Sequence, residues 1–151
     1  MEDKFDYWVR SDVGKFIRLY WMQFWFLYVL GTWIALHSHT LSAFFIIGFL
    51  PYLVILIYRW SHNPVNDVEN GIKKYNSQLH ERLSRLVSEQ HPKQRAASIY
   101  TQFMKEPDIK LDSALLAFKK NYNRINTHAM MSLSLWFFTS AALTIFMFLT
   151  R

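Results

Sequence analysis

Three observations predict an all-α integral membrane protein, with three transmembrane helices and a cytoplasmic helical hairpin. Between Arg18 and Arg59 run forty consecutive residues, Leu19 to Tyr58, without one Asp, Glu, Lys or Arg. A second uncharged run of twenty-two residues, Ala129 to Thr150, lies near the C-terminus. Between the two, residues 59–127 carry twelve Lys and Arg, seven Asp and Glu, and prolines at 64, 92 and 107. A backbone in hydrocarbon must satisfy its own hydrogen bonds, which helices do within one segment. The mean hydropathy of +0.01 conceals this by averaging apolar runs with a polar middle.

The forty-residue run is too long for one span and divides at His37-Ser38-His39-Thr40 into arms of eighteen residues, 19–36 and 41–58. At about 1.5 Å per residue each arm reaches roughly 27 Å, close to the roughly 30 Å of bilayer hydrocarbon. This predicts a transmembrane hairpin over 19–58. Before it, residues 1–18 set Phe5, Trp8, Val9, Phe16 and Ile17 among Lys4, Arg10, Lys15 and Arg18. That pattern fits an interfacial amphipathic segment with its aromatic side at the headgroups. Acidic residues at 2, 3, 6 and 12 argue against a signal peptide, so the first apolar run is expected to remain as an anchor. In the first span Trp21, Phe24, Trp25 and Tyr28 make a packing stripe, and Gln23 calls for an interhelical hydrogen bond. Gly48 and Pro51 can bend the second span, while Tyr58 and Trp60 fit an interfacial belt.

The polar region 59–127 reads as cytoplasmic helices. Asn63 and Pro64 suit an N-cap followed by Pro at the first helical position. Behind them Val65, Val68, Ile72, Tyr75, Leu79 and Leu86 recur at helical spacing, a stripe long enough for a coiled-coil contact. A shorter helix follows Pro92, carrying Ala96, Ile99, Tyr100, Phe103 and Met104, and Pro107 ends it. From about Asp112 a last helix carries Leu111, Leu115, Phe118, Tyr122, Ile125 and Ala129 without a breaker into the third span, 129–150. Ser132, Ser134, Thr139, Ser140, Ala141, Ala142 and Thr144 make that span rich in small side chains, as close helix packing requires. Four basic residues before the first span, twelve in the polar region and none in the 37–40 turn put the N-terminus in the cytoplasm and the C-terminus outside, with Arg151 as an exception.

Candidate chemistry is sparse. The absence of cysteine excludes disulfides, thiolate chemistry and Cys-based zinc sites. His37 and His39 at the turn are two metal-type ligands where a site needs more, and haem ligation fails because His128 enters at the opposite side, so no cofactor or metal is expected. No charge lies inside a span, which disfavours a proton-coupled path. The net charge of +6 and pI near 9.6 follow from the topology, and nucleic acid is not an expected partner, since the basic residues are interleaved with acids. Arg59, Lys119, Lys120 and Arg124 are candidates for anionic headgroups. The segment from His62 to Asp67 has the His-x4-Asp spacing that resembles the catalytic pair of glycerolipid acyltransferases; the resemblance implies a His base oriented by a carboxylate. It covers six residues and none of the further motifs of those enzymes is present, and a helix cap explains the same residues.

The resulting expectation is a non-enzymatic subunit or assembly factor of a multiprotein bacterial inner-membrane complex of secretion, conjugation or respiratory type. Its interaction residues are then Val65, Val68, Ile72, Tyr75, Leu79, Leu86, Leu111, Leu115, Phe118, Tyr122 and Ile125, and its partners are membrane lipids and other subunits or a second copy. The alternative is a small membrane protective protein, for immunity or exclusion, that blocks a toxin or a channel. An acyltransferase-like lipid enzyme is a third reading.

Overall fold

The structure, a computed structural model, describes residues 3–38, 40–88 and 92–150, so His39 of the turn and Arg151 lie outside the described residues. Seven α-helices follow one another among them: α1 (Lys4–Arg10), α2 (Val13–Ser38), α3 (Ser42–Ser61), α4 (Val68–Tyr75), α5 (Ser77–Leu86), α6 (Pro92–Lys105) and α7 (Ser113–Leu149), with a 3-10 turn at Asp108–Lys110 before α7. Three of them, α2, α3 and α7, are long and apolar enough to cross a membrane. The chain divides into two compact units, the first comprising Met1–Ser11 and His62–Asn123, the second Asp12–Ser61 and Arg124–Arg151. Helix α7 contributes to both.

The first unit is a small helical domain with an aromatic core. Asp3 caps α1 by accepting from the Phe5 N–H at 2.9 Å, which fixes a helix of only seven residues whose aromatic pair at i, i+3 shares one face. Phe5 and Trp8 are both 0% exposed. The interfacial segment expected over residues 1–18 is therefore not one surface: Phe5 and Trp8, expected at headgroup level, fill the domain core. Phe5 stacks on Phe118 with centroids 4.2 Å apart, and Trp8 meets Tyr122 edge-on at 5.2 Å. Close approach is possible because α4 has Gly71 beneath the ring, where a Cβ would fall 2.2 Å from Phe5 Cγ.

The single amphipathic helix expected behind Asn63 is two helices, for a local reason. Pro64 precedes a turn, the backbone N–H of Asp67 bonds to the Pro64 carbonyl at 2.9 Å, and helix begins only at Val68. Asn76 then adopts φ −151°, ψ 93°, which ends α4 and starts α5. Its side-chain oxygen accepts from the Leu79 N–H at 2.8 Å and its amide donates to Asp112 at 2.7 Å, so one residue caps a helix and ties it to the chain before α7. The three-heptad coiled-coil register is interrupted there. The helix after Pro92 and its end before Pro107 match the expectation, as does the unbroken run of α7 from Ser113 to Leu149.

In the second unit α2 and α3 pack side by side. Gly31 brings α2 against α3, where a Cβ would lie 3.6 Å from the Phe44 Cα and 3.5 Å from Ile47. Phe16 stacks on Tyr58 at 3.8 Å, closing the other end of the pair. Pro51 sits inside α3 without ending it. Buried Ala35, Phe44 and Leu143 form a core with Tyr28, Leu41 and Trp136 around it, so α7 completes the bundle.

Candidate functional site

The residues expected to bind a partner through the cytoplasmic stripes turn out to be mostly internal. Val68, Ile72, Leu79, Leu115, Phe118, Tyr122 and Ile125 are buried, Val65, Tyr75 and Leu111 are half-buried, and Leu86 alone is exposed, at 65%. What covers them in the first unit includes α1 and α6: Phe103 lies 5.7 Å from Phe118 and 6.3 Å from Phe5, and Tyr100 meets Tyr122 at 5.8 Å. Periodicity located the apolar faces. It could not say that the chain's own N-terminus covers one of them.

Docking of α1 also absorbs the His-x4-Asp pair. The His62 carbonyl accepts from the Trp8 indole N–H at 2.6 Å and its ring stacks on Tyr7 at 4.2 Å, while the Asp67 carboxylate accepts from the Lys4 backbone N–H at 3.3 Å. Asn121 adds a bond from its amide to the Trp8 carbonyl at 2.8 Å. On the polar side of α1, Asp6 accepts from the Lys74 ammonium and from the Tyr75 hydroxyl at 2.8 Å. The Lys74 hydrogen bond holds the Asp6 carboxyl below its ordinary range and reciprocally raises Lys74; burial first, then the bond to Asp6, pushes Tyr75 up.

One cluster brings a serine, a histidine and a carboxylate together. Glu69 Oε1 takes a hydrogen bond from Arg95 Nη2 at 2.9 Å and lies 3.4 Å from His80 Nε2, and Ser84 Oγ is 3.3 Å from that same Nε2. A nucleophile–base–carboxylate chain uses the two different ring nitrogens. Here both partners meet the same ring nitrogen, and the cluster joins α4, α5 and α6. Among the described residues no group of three or more His, Cys, Asp or Glu is placed to hold a metal, and His37 directs Nδ1 to the Trp33 carbonyl at 2.9 Å.

In the second unit the polar groups serve packing. Trp21 Nε1 donates to His128 Nδ1 at 3.0 Å, and the hydroxyls of Tyr28 and Thr139 pair with each other. These cross-helix bonds replace the one expected of Gln23, which is exposed. Ser140 and Thr144 bond carbonyls one turn back, at 2.7 Å each, as helical hydroxyls do in an apolar setting. One face of α7 stays open: Asn126, Thr127, Met130, Met131, Ser134 and Leu135 line a groove of about 620 Å³. Of the four candidate headgroup residues, Lys119 is committed elsewhere, donating to the Glu106 carbonyl at 2.6 Å and the Asp108 carboxylate at 2.8 Å with its side chain 13% exposed. Lys120 and Arg124 are exposed and Arg59 is half-buried.

No family model, curated protein or solved structure matches this chain.

Proposed function

We propose that the chain is a non-enzymatic integral membrane subunit, or assembly factor, of a multiprotein inner-membrane complex, with its N-terminus and first unit in the cytoplasm and its C-terminus outside. The observation that carries the reading is the open groove on α7. It sets Asn126 and Ser134 among Met130, Met131 and Leu135 on one face of α7. Lipid tails offer no hydrogen-bond partner to an amide or a hydroxyl, whereas a neighbouring helix does, and a small residue such as Ser134 lets it approach closely. Flexible methionines adapt to a partner's shape. The three candidate spans and the bias of Lys and Arg toward the N-terminal segment and polar region support the topology.

The absence of native cysteine makes the test direct. Single cysteines at Met131 and Ser134, crosslinked in native membranes, should each trap one defined polypeptide, and a cysteine at exposed Phe26 on α2 should not. Trapping that is equal at all three positions, or absent from all, sinks the assembly reading. In the same chains, cysteines at Ser38, Ser77 and Thr150 should label from outside, inside and outside respectively. Labelling of Ser77 from outside overturns the orientation.

A further inference from the structure

We propose that the end of the second unit bearing the start of α2 and the end of α3 is a binding surface for anionic phospholipid headgroups. Every formal charge among the described residues of this unit lies there: Lys15 and Arg18 in the first turns of α2, Arg59 in the last turn of α3, Arg124 where α7 enters the unit, and the single carboxylate Asp12. Contacts inside the unit bring these positions together. The Phe16–Tyr58 stack at 3.8 Å sets the last turn of α3 beside the first of α2. Gly14 lacks the side chain that would meet Arg124, whose Nη1 lies 3.5 Å from the Cβ position, with the Asp12 carboxylate 3.2 Å from the same point. Asp12 offsets one charge, its Oδ2 lying 3.9 Å from Lys15 Nζ, and the four cations with one carboxylate give this end a net charge of +3. Lys15, Arg18 and Arg124 are exposed, and Trp60, 80% exposed one residue beyond Arg59, supplies an amphipathic ring at the same level.

The opposite end is uncharged among the described residues, with His37, Ser38 and Thr40 exposed on it. From Arg18 to His37 is nineteen residues, about 28 Å of helix, so the cations fall where the phosphates of one leaflet lie if the uncharged length fills the hydrocarbon. Depth places these cations at the phosphodiester level, and their net positive charge favours an anionic lipid over a zwitterionic one, whose phosphate is already neutralised by its own cation. This rests on the membrane reading of α2, α3 and α7, and the test separates the two.

The full chain is reconstituted in vesicles of equal phosphatidylcholine and phosphatidylglycerol, extracted in mild detergent, and its retained lipids are weighed by native mass spectrometry. Phosphatidylglycerol should be retained preferentially. A cation at an anionic surface contributes about fivefold, so K15Q/R18Q/R124Q should lower that preference by roughly two orders of magnitude. K73Q/K105Q/K110Q, an equal charge change at exposed positions of the first unit, should leave it unchanged. R124Q alone should lower it about fivefold, which keeps the test informative if the triple variant misfolds. No preference in the wild type, or equal loss in both triple variants, overturns the proposal. So does displacement of the lipid by millimolar inorganic phosphate, which would mean that the surface takes the anion from solution. Release of the chain from vesicles by alkaline carbonate instead refutes the membrane reading itself.

Discussion

The two units treat the same residue types in opposite ways. The first buries Phe5, Trp8, Phe103 and Phe118 and, among its described residues, exposes only Leu86 and Ile109 of its large apolar side chains. The second has a thin core, in which Gly31, Ala35 and Gly48 fill inner positions, and turns Trp25, Phe26, Val29, Trp33, Phe138 and Phe146 outward. Contiguous apolar surface on that scale is not stable in water. Burial is thus a statement about solvent: the first unit is organised against water, whereas the second carries its large apolar side chains outside, on helices long and apolar enough to cross a membrane.

The largest expected effect tests the first half of that contrast. Phe5→Ala should remove about 3–5 kcal/mol from the first unit, as truncation of a fully buried aromatic does, measured by pulse proteolysis of the full chain in detergent. Phe26→Ala, on the outward face of α2, should change resistance to unfolding by less than about 0.5 kcal/mol. Equal losses would mean that the second unit's exposed aromatics are packed after all.

Charge insertion sharpens the contrast from the other side. Val29→Asp places a carboxylate in the middle of α2 and should cost about 2.5–3.5 kcal/mol of apparent insertion energy, read as the fraction of chain recovered in carbonate-washed membranes. Ile109→Asp, at a residue 94% exposed in the first unit, should be silent within about 0.5 kcal/mol. A silent Val29→Asp would remove the membrane from the explanation.

Gly71→Ala comes next. A methyl group 2.2 Å from Phe5 Cγ must displace the ring or part α1 from α4, an overpacking cost of about 1–3 kcal/mol. Gly31→Ala, with its nearest neighbour at an ordinary 3.5 Å, should cost less in a parallel denaturation series. The order reverses if α1 is only loosely seated.

The smallest effect is electrostatic. Because the folded pKa of Asp6 is lowered by Lys74, its contribution to stability is present above the ordinary carboxylate pKa of about 3.9 and fades as pH falls through the folded value. For Lys74 the folded pKa is raised, so its contribution holds below about pH 10.4 and is lost as pH rises through the folded value. Melting curves of the wild type and Asp6→Asn should therefore differ at pH 7 and converge below about pH 4. Parallel curves across that range would show that the pair adds nothing through Asp6 ionisation.

How much of this was legible follows from what each pattern encodes. The three long helices were readable because an uncharged run of eighteen or more residues has few other folded solutions, and α7's continuity because no Gly or Pro interrupts residues 113–149. The break at Asn76 was not, since the apolar steps from Ile72 through Tyr75 to Leu79 keep helical spacing across it; only the extended backbone of Asn76 and its bond to Asp112 reveal two helices. Phe5 and Trp8 were legible as an apolar face but not by destination, because lipid and protein cover such a face equally well. The cations sorted the same way. Lys119 looks like Arg124 in sequence, and only distances of 2.6 and 2.8 Å to Glu106 and Asp108 separate an internal clamp from a surface charge.

The docking of α1 also sets an order of events during synthesis. Trp8 bonds through its carbonyl to Asn121, 113 residues later, so at about 5–20 residues per second the helix waits about 6–23 s for its last partner to be made. During that interval α2 and α3 leave the ribosome, and the core that Phe5 and Trp8 enter still lacks Phe118 and Tyr122. The first unit can close only after most of the chain exists. A nascent chain arrested before Asn121 should thus carry its N-terminal aromatics open to any apolar binder, and one arrested well beyond it should not.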